Sequence, residues 1–215
     1  MKGSGNVKTD VRQVSGFSSV KLSGIGSLEI AQTGTEGLSI SAEDNLLPLI
    51  NTNVQGGVLD IHSQPNTNLQ PTKPIIYLLS VKDLTAITLS GAGSVTAQQF
   101  KTPNLTVDLS GAGDINLTGL QLNSLTVKIS GTGNMTVVGT TTNEDVSASG
   151  VGDYKGEQLA SATAKVRLSG VGSAAVRASQ SLDVTISGVG SLTYYGDPTV
   201  TQHITGLGKV THAQG

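Results

Sequence analysis

A tetrapeptide of the form Ser-Gly-x-Gly returns in one phase through the stretch from Leu84 to Lys209. The copies are Ser90-Gly91-Ala92-Gly93, Ser110-Gly111-Ala112-Gly113, Ser130-Gly131-Thr132-Gly133, Ser149-Gly150-Val151-Gly152, Ser169-Gly170-Val171-Gly172, Ser187-Gly188-Val189-Gly190 and, with Thr for Ser, Thr205-Gly206-Leu207-Gly208. Between first residues the steps are 20, 20, 19, 20, 18 and 18 residues. An eighth copy, Ser23-Gly24-Ile25-Gly26, lies far upstream. Repetition at one period marks a stack of like units, because a single unit of this size cannot bury its own apolar face.

The residues around each copy alternate. Ile87-Thr88-Leu89 precedes one bend and Val95-Thr96-Ala97 follows it; Val107-Asp108-Leu109 and Ile115-Asn116-Leu117 flank the next. An apolar-polar-apolar period of two turns one side of a strand inward, and Ile, Val and Thr suit strands. Each repeat therefore reads as strand, glycine bend, strand and return. A parallel β-helix needs the same bend in the same phase every coil, since each coil lies on the last at about 4.8 Å. The glycine pair fits a bend that requires positive φ, or one with no room for a Cβ against the next coil. The Ser column is expected to bond one coil away. A leucine-rich horseshoe lacks its Leu and Asn or Cys columns here, and the six-residue phase of a left-handed hexapeptide helix is absent. The expected fold is all-β, a right-handed single-stranded parallel β-helix with coils of about 18–20 residues. One domain is expected over residues 1–215, irregular over 1–83 and regular over 84–215.

Composition narrows the function classes. Hydrophobic residues are 36% and charged residues 13%, and the net charge is −2, so the basic surface of a nucleic-acid binder is missing. The chain has no run of 18 apolar residues, hence no membrane span of that kind. With zero cysteines, disulfides, thiol catalysis and Cys-type metal sites are excluded. No residue set calls for a cofactor.

The first third departs from the repeat, as solenoid ends do. Phe17 to Ile30 reads as two strands with Val20, Leu22, Leu28 and Ile30 inward, and Leu38 and Ile40 begin another. Ala42-Glu43-Asp44-Asn45 reads as a turn, Val54-Gln55-Gly56-Gly57-Val58 as a tight reversal, and Pro65 to Pro74 as a loop. Asn143-Glu144-Asp145 and Gly196-Asp197-Pro198 read as turns between coils. Gly3-Ser4-Gly5-Asn6-Val7 looks like a partial ninth bend, which suggests a mature chain whose targeting segment has been removed.

These bends, together with Val14-Ser15-Gly16-Phe17, Ser27-Leu28-Glu29-Ile30 and Ala42-Glu43-Asp44-Asn45-Leu46-Leu47-Pro48, resemble the head GIN domain family of auto-transporter adhesins from bacterial envelopes. The resemblance runs over nearly the whole chain. It implies a pectin-lyase-like β-helix in an exported cell-envelope protein, often held by a lipoprotein cysteine upstream. It carries no catalytic or binding residues to transfer.

Read for chemistry, the residues offer little. The position after each Gly-x-Gly is polar: Ser27, Ser94, Asp114, Asn134, Asp153, Ser173, Ser191 and Lys209. Asp114 and Asp153 stand two coils apart, roughly 10 Å, with Asn134 between them. That is a thin offering for calcium, which takes six to eight oxygens, and strand capping is the expected role. The Gly-x-Gly bends lack the third glycine and helix of a dinucleotide fingerprint. His62, His203 and His212 are the only histidines, and the periodic serines argue against one activated nucleophile. In Leu192-Thr193-Tyr194-Tyr195 one tyrosine is expected inward and the other outward. An outward Tyr195 with Tyr154 is the candidate contact patch. The expected function is that of a non-enzymatic surface protein binding glycan or protein through polar strand faces, with self-association possible. A polysaccharide-acting enzyme is the alternative by fold analogy, and a structural or self-assembly module is the third reading.

Overall fold

The computed structural model describes residues 1–214. The strands are β1 (Val7–Arg12), β2 (Ser19–Leu22), β3 (Ile25–Gln32), β4 (Gly37–Glu43), β5 (Ile50–Gln55), β6 (Val58–Ser63), β7 (Ile76–Val81), β8 (Ala86–Leu89) and β9 (Ala92–Gln98). They continue as β10 (Asn104–Leu109), β11 (Ala112–Gln121), β12 (Ser124–Ile129), β13 (Met135–Ala148), β14 (Tyr154–Leu168), β15 (Val171–Ile186), β16 (Val189–Tyr195), β17 (Thr199–Ile204) and β18 (Leu207–His212). A single 3-10 turn covers Leu47–Leu49.

The strands stack as coils of a parallel β-solenoid. Ahead of the bends, β8, β10, β12, residues 143–148 of β13, 163–168 of β14, 181–186 of β15 and β17 pair in parallel. Behind them, β9, β11 and the opening residues of β13, β14 and β15 continue into β16 and β18. The register puts like residues in columns. Leu22, Leu89, Leu109, Ile129, Leu168 and Ile186 fill one inward column and are buried. Leu28, Val95, Ile115, Met135, Tyr154, Ala174 and Leu192 fill the facing one. Full burial stabilises each large aliphatic side chain by about 1.5–3 kcal/mol, so the columns are the main source of cohesion.

The two glycines of each bend answer different constraints. Gly91, Gly111, Gly131, Gly150, Gly170, Gly188 and Gly206 would each drive a Cβ into the backbone of the preceding coil; for Gly111 the obstacle is the Gly91 carbonyl. Gly26, Gly93, Gly113, Gly133, Gly152 and Gly172 meet the same obstruction and also adopt positive φ, +146° at Gly113. Gly190 and Gly208 are limited by the coil beneath, whereas Gly24 has only ordinary contacts.

Stack order is not chain order at the N-terminal end. The coil of β6 and β7 lies outside that of β2 and β3, which pairs with β8 and β9 on its other side. Antiparallel strands close this end: β4 on β7, β1 on β4, and β5 on β6. The β5–β6 reversal turns at Gly56 and Gly57, with φ of 59° and 77°. The segment Gly3–Val7 is therefore no ninth bend, because β1 runs antiparallel and joins no coil. Asn143-Glu144-Asp145 is no turn either: it lies within β13, with Glu144 in the column of Leu125 and Ala164. Gly196–Pro198 does turn between strands. Of the Ser column, Ser90 bonds Ser23 at 3.3 Å, while Ser110, Ser130, Ser149, Ser169 and Ser187 are exposed.

Candidate functional site

The polar column after the bends is a run of caps. Asp114 Oδ1 accepts the Asn134 backbone N–H at 2.9 Å, Asn134 Oδ1 accepts that of Asp153 at 3.3 Å, and Asp153 Oδ1 accepts that of Ser173 at 2.8 Å. The rotated peptide at the second glycine leaves these N–H groups without a carbonyl in the ladder, and the side chain one coil down supplies the acceptor. The Ser173 hydroxyl and N–H together hold the Asp153 carboxyl below its ordinary range. No group of three His, Cys, Asp or Glu side chains arranged to hold a metal occurs among the described residues.

The outer faces are flat and polar. Behind the bends, Thr96, Asn116, Thr136 and Lys155 stand side by side, and beyond Ala175 the row resumes with Thr193 and Thr211. Ahead of the bends, charges neutralise one another across coils, Arg167 with Asp145 at 2.7 Å and Lys165 with Asp183 at 3.4 Å. Such exposed pairs contribute little to stability.

The two candidate tyrosines part company. Tyr154 does not reach the surface: it is 1% exposed, and its hydroxyl donates to Glu144 Oε1 at 2.7 Å. Its place in the inward column, under Ala174, forces this, so it leaves the contact patch. Burial pushes the Glu144 carboxyl up to about 7, against the opposing bond from Tyr154, and Glu144 Oε2 has no partner. Tyr195 remains near the surface, with the Arg177 guanidinium 5.2 Å from its ring centre. Tyr194 packs against the core and stacks on His212 at 4.7 Å. Beside Tyr195 a groove of about 500 Å³ is lined by Thr141, Ser161, Arg177, Ser179 and Asp197. It gathers a ring nearby, a cation, a carboxylate and hydroxyls on the return side of the coils.

His62 lies 3.6 Å from Asp60, and Asp60 Oδ1 accepts the Ser23 hydroxyl at 2.7 Å. The acid, not the imidazole, holds the hydroxyl, which is the wrong order for activating a serine.

Of the expected turn at Ala42–Asn45, Ala42 and Glu43 end β4 and the chain turns from Asp44 on; the segment acts as a clamp. Glu43, buried, accepts N–H bonds from Gly5 at 2.6 Å and Thr72 at 2.9 Å, and the Thr72 hydroxyl at 2.5 Å. Asp44 accepts from Ser4 and Asn6, and Asn45 accepts the Ser4 N–H and donates to the Lys2 carbonyl. These bonds hold both carboxyls below their ordinary range, led by Thr72 for Glu43 and by Ser4 for Asp44. Acidic residues beside a turn were the visible signal; their partners, about 40 and 30 residues away in sequence, were not.

The sequence model of a family described as "Putative auto-transporter adhesin, head GIN domain" matches residues 16–198. Similar solved structures include a "putative adhesin" from Bacteroides fragilis, 24% identical, covering 99% of this chain and 100% of that one, with a TM-score of 0.95. A "Putative lipid binding protein" from Parabacteroides distasonis is 24% identical, with 99% of each chain covered and a TM-score of 0.78. A "putative adhesin" from Parabacteroides merdae is 24% identical, covering 99% and 98%, with a TM-score of 0.72. At these identities the likeness is one of fold. No curated protein matches the chain.

Proposed function

The chain belongs to the head GIN domain family, described as "Putative auto-transporter adhesin", and from that premise we propose that it is a non-enzymatic protein of the cell envelope or surface that binds glycan or protein. The groove beside Tyr195 is the primary contact. The observation that carries this reading is an open groove of about 500 Å³ lined by Arg177, Asp197 and the hydroxyls of Thr141, Ser161 and Ser179, with the Tyr195 ring at its margin under the Arg177 guanidinium. A sugar presents an apolar C–H face to a ring and hydroxyls to charged groups, and this set offers both. The in-register Thr and Asn rows extend the contact, adding weak bonds along a rigid framework.

The experiment is an array of glycans and surface proteins probed with labelled protein, with and without calcium, followed by titration of the hits. Saturable binding without product, weakened about tenfold or more by Tyr195→Ala, is the expected result. Undiminished binding by that variant removes the groove from the reading. Release of a shortened glycan replaces the binder with an enzyme.

A further inference from the structure

Ten large apolar side chains are exposed among the described residues, and four of them occupy consecutive rungs of one column. Val151, Val171, Val189 and Leu207 are the variable residues of four successive bends, paired rung to rung, and are 53%, 55%, 52% and 81% exposed. Toward the N-terminal end the same column continues as Thr132, Ala112 and Ala92 and ends at Ile25, which is half-buried against the core, so the exposed large aliphatic ridge belongs to the C-terminal coils. Spacing of about 4.8 Å per rung makes it roughly 14 Å long, a contiguous apolar row rather than side chains exposed singly.

We propose that this ridge is a self-association surface on which a second copy packs antiparallel, about a two-fold axis passing between Val171 and Val189. The occupant follows from the column two residues downstream, which runs beside the ridge and reads Asp153, Ser173, Ser191, Lys209. Its negative end stands beside Val151 and its positive end beside Leu207. A two-fold axis lying across the ridge keeps each flank on its own side and reverses the rung order. Val151 then meets Leu207 of the second copy, Val171 meets Val189, and Asp153 faces Lys209 at both ends. A parallel pairing, about an axis along the ridge, instead sets Asp153 against Ser149 and Lys209 against Thr205 of the opposite flank, which reads Ser149, Ser169, Ser187, Thr205. Asp153 Oδ1 is held by the Ser173 N–H and hydroxyl, which fixes the carboxylate beside the ridge; Lys155, on the same strand, is the other cation nearby. Lys209 is exposed. Four rungs with their flanks fall short of the roughly 800 Å² per partner of a standard interface, so the dimer forms in the micromolar to millimolar range.

Sedimentation equilibrium from roughly 10 to 500 µM tests this, with melting curves to confirm that each variant is folded. The expected result is a monomer–dimer equilibrium that weakens with salt, is abolished by Val189→Asp and is weakened about tenfold by Lys209→Glu. A monomer throughout the range, or a dimer untouched by Val189→Asp, overturns the proposal. Orientation is read from cysteine cross-linking, which is clean because the chain has no cysteine. A mixture of Val151→Cys and Leu207→Cys chains should form an interchain disulfide, whereas Val151→Cys alone should not, its mate lying about 14 Å away. The opposite pattern means a parallel dimer and refutes the antiparallel assignment.

Discussion

Glu144 places a carboxyl between Leu125 and Ala164 in a column built for apolar side chains. Unfolded, this group ionises at the ordinary 4.5; folded, burial delays ionisation to about 7. Between those values the unfolded chain has released a proton that the folded chain still holds, so stability falls as pH rises through the window and levels off above it. The span corresponds to roughly 3 kcal/mol. Glu144→Gln is expected to remove this loss, so urea melts should show the variant gaining roughly 3 kcal/mol on wild type between pH 4.5 and pH 8. A gap that stays constant with pH would refute it. Glycines divide equally sharply at this scale. Gly111→Ala forces a Cβ onto the Gly91 carbonyl and is expected to prevent folding, while Gly37→Ala has no atom within 4 Å of the new Cβ and should melt within about 0.5 kcal/mol of wild type.

At the scale of the element, the side-chain caps and the N-terminal clamp replace ladder bonds that the bends and the antiparallel strands cannot make. Asp153→Ala removes the acceptor for the Ser173 N–H and hydroxyl and is expected to lower stability by about 1–2 kcal/mol, with Asp153→Asn recovering most of it. The clamp responds to acid. Glu43 and Asp44 are held below the ordinary carboxylate range by the bonds from Thr72 and from Ser4, so their contribution is complete above that range and is lost as pH falls through their lowered values. Hydrogen exchange at pH 3 should therefore rise first at residues 3–6 and 72–73, ahead of β10 to β12. Uniform exchange across these regions would contradict the clamp. The strands flanking the bends were legible because alternation at period two survives in every coil. The return segment of β13 was not: Asn143-Glu144-Asp145 has the composition of a turn, and only the neighbouring coil makes it a strand.

Across the whole molecule the two ends differ. The N-terminal end is closed by antiparallel strands and the Leu47–Leu49 turn, and its outer strand β1 alternates Lys8, Asp10 and Arg12, charges that discourage edge pairing. The C-terminal coil carries β17 and β18 with Ile204 39% and Leu207 81% exposed, and among the described residues nothing lies over it. Exchange protection should fall from the central coils toward β17 and β18, because a solenoid's stability is the sum of neighbour contacts and the last coil has one neighbour. Equal protection in β18 and β11 at low concentration would show that another contact covers this end.

Periodicity and local sterics were enough, from the sequence alone, to specify an all-β stack of parallel coils, the phase of its bends and most inward residues, since each follows from repetition along the chain. The tertiary structure decided what depends on neighbours distant in sequence. It set the coil of β6 and β7 outside that of β2 and β3, turned β1 into a closing strand, and made a clamp of Glu43, Asp44 and Asn45. It gave the Tyr154 hydroxyl its partner in Glu144 and laid Arg177 over Tyr195, because stacking brings these partners together; the inward place of Tyr154 itself was legible in the repeat phase, one residue after Asp153 as Ile115 follows Asp114.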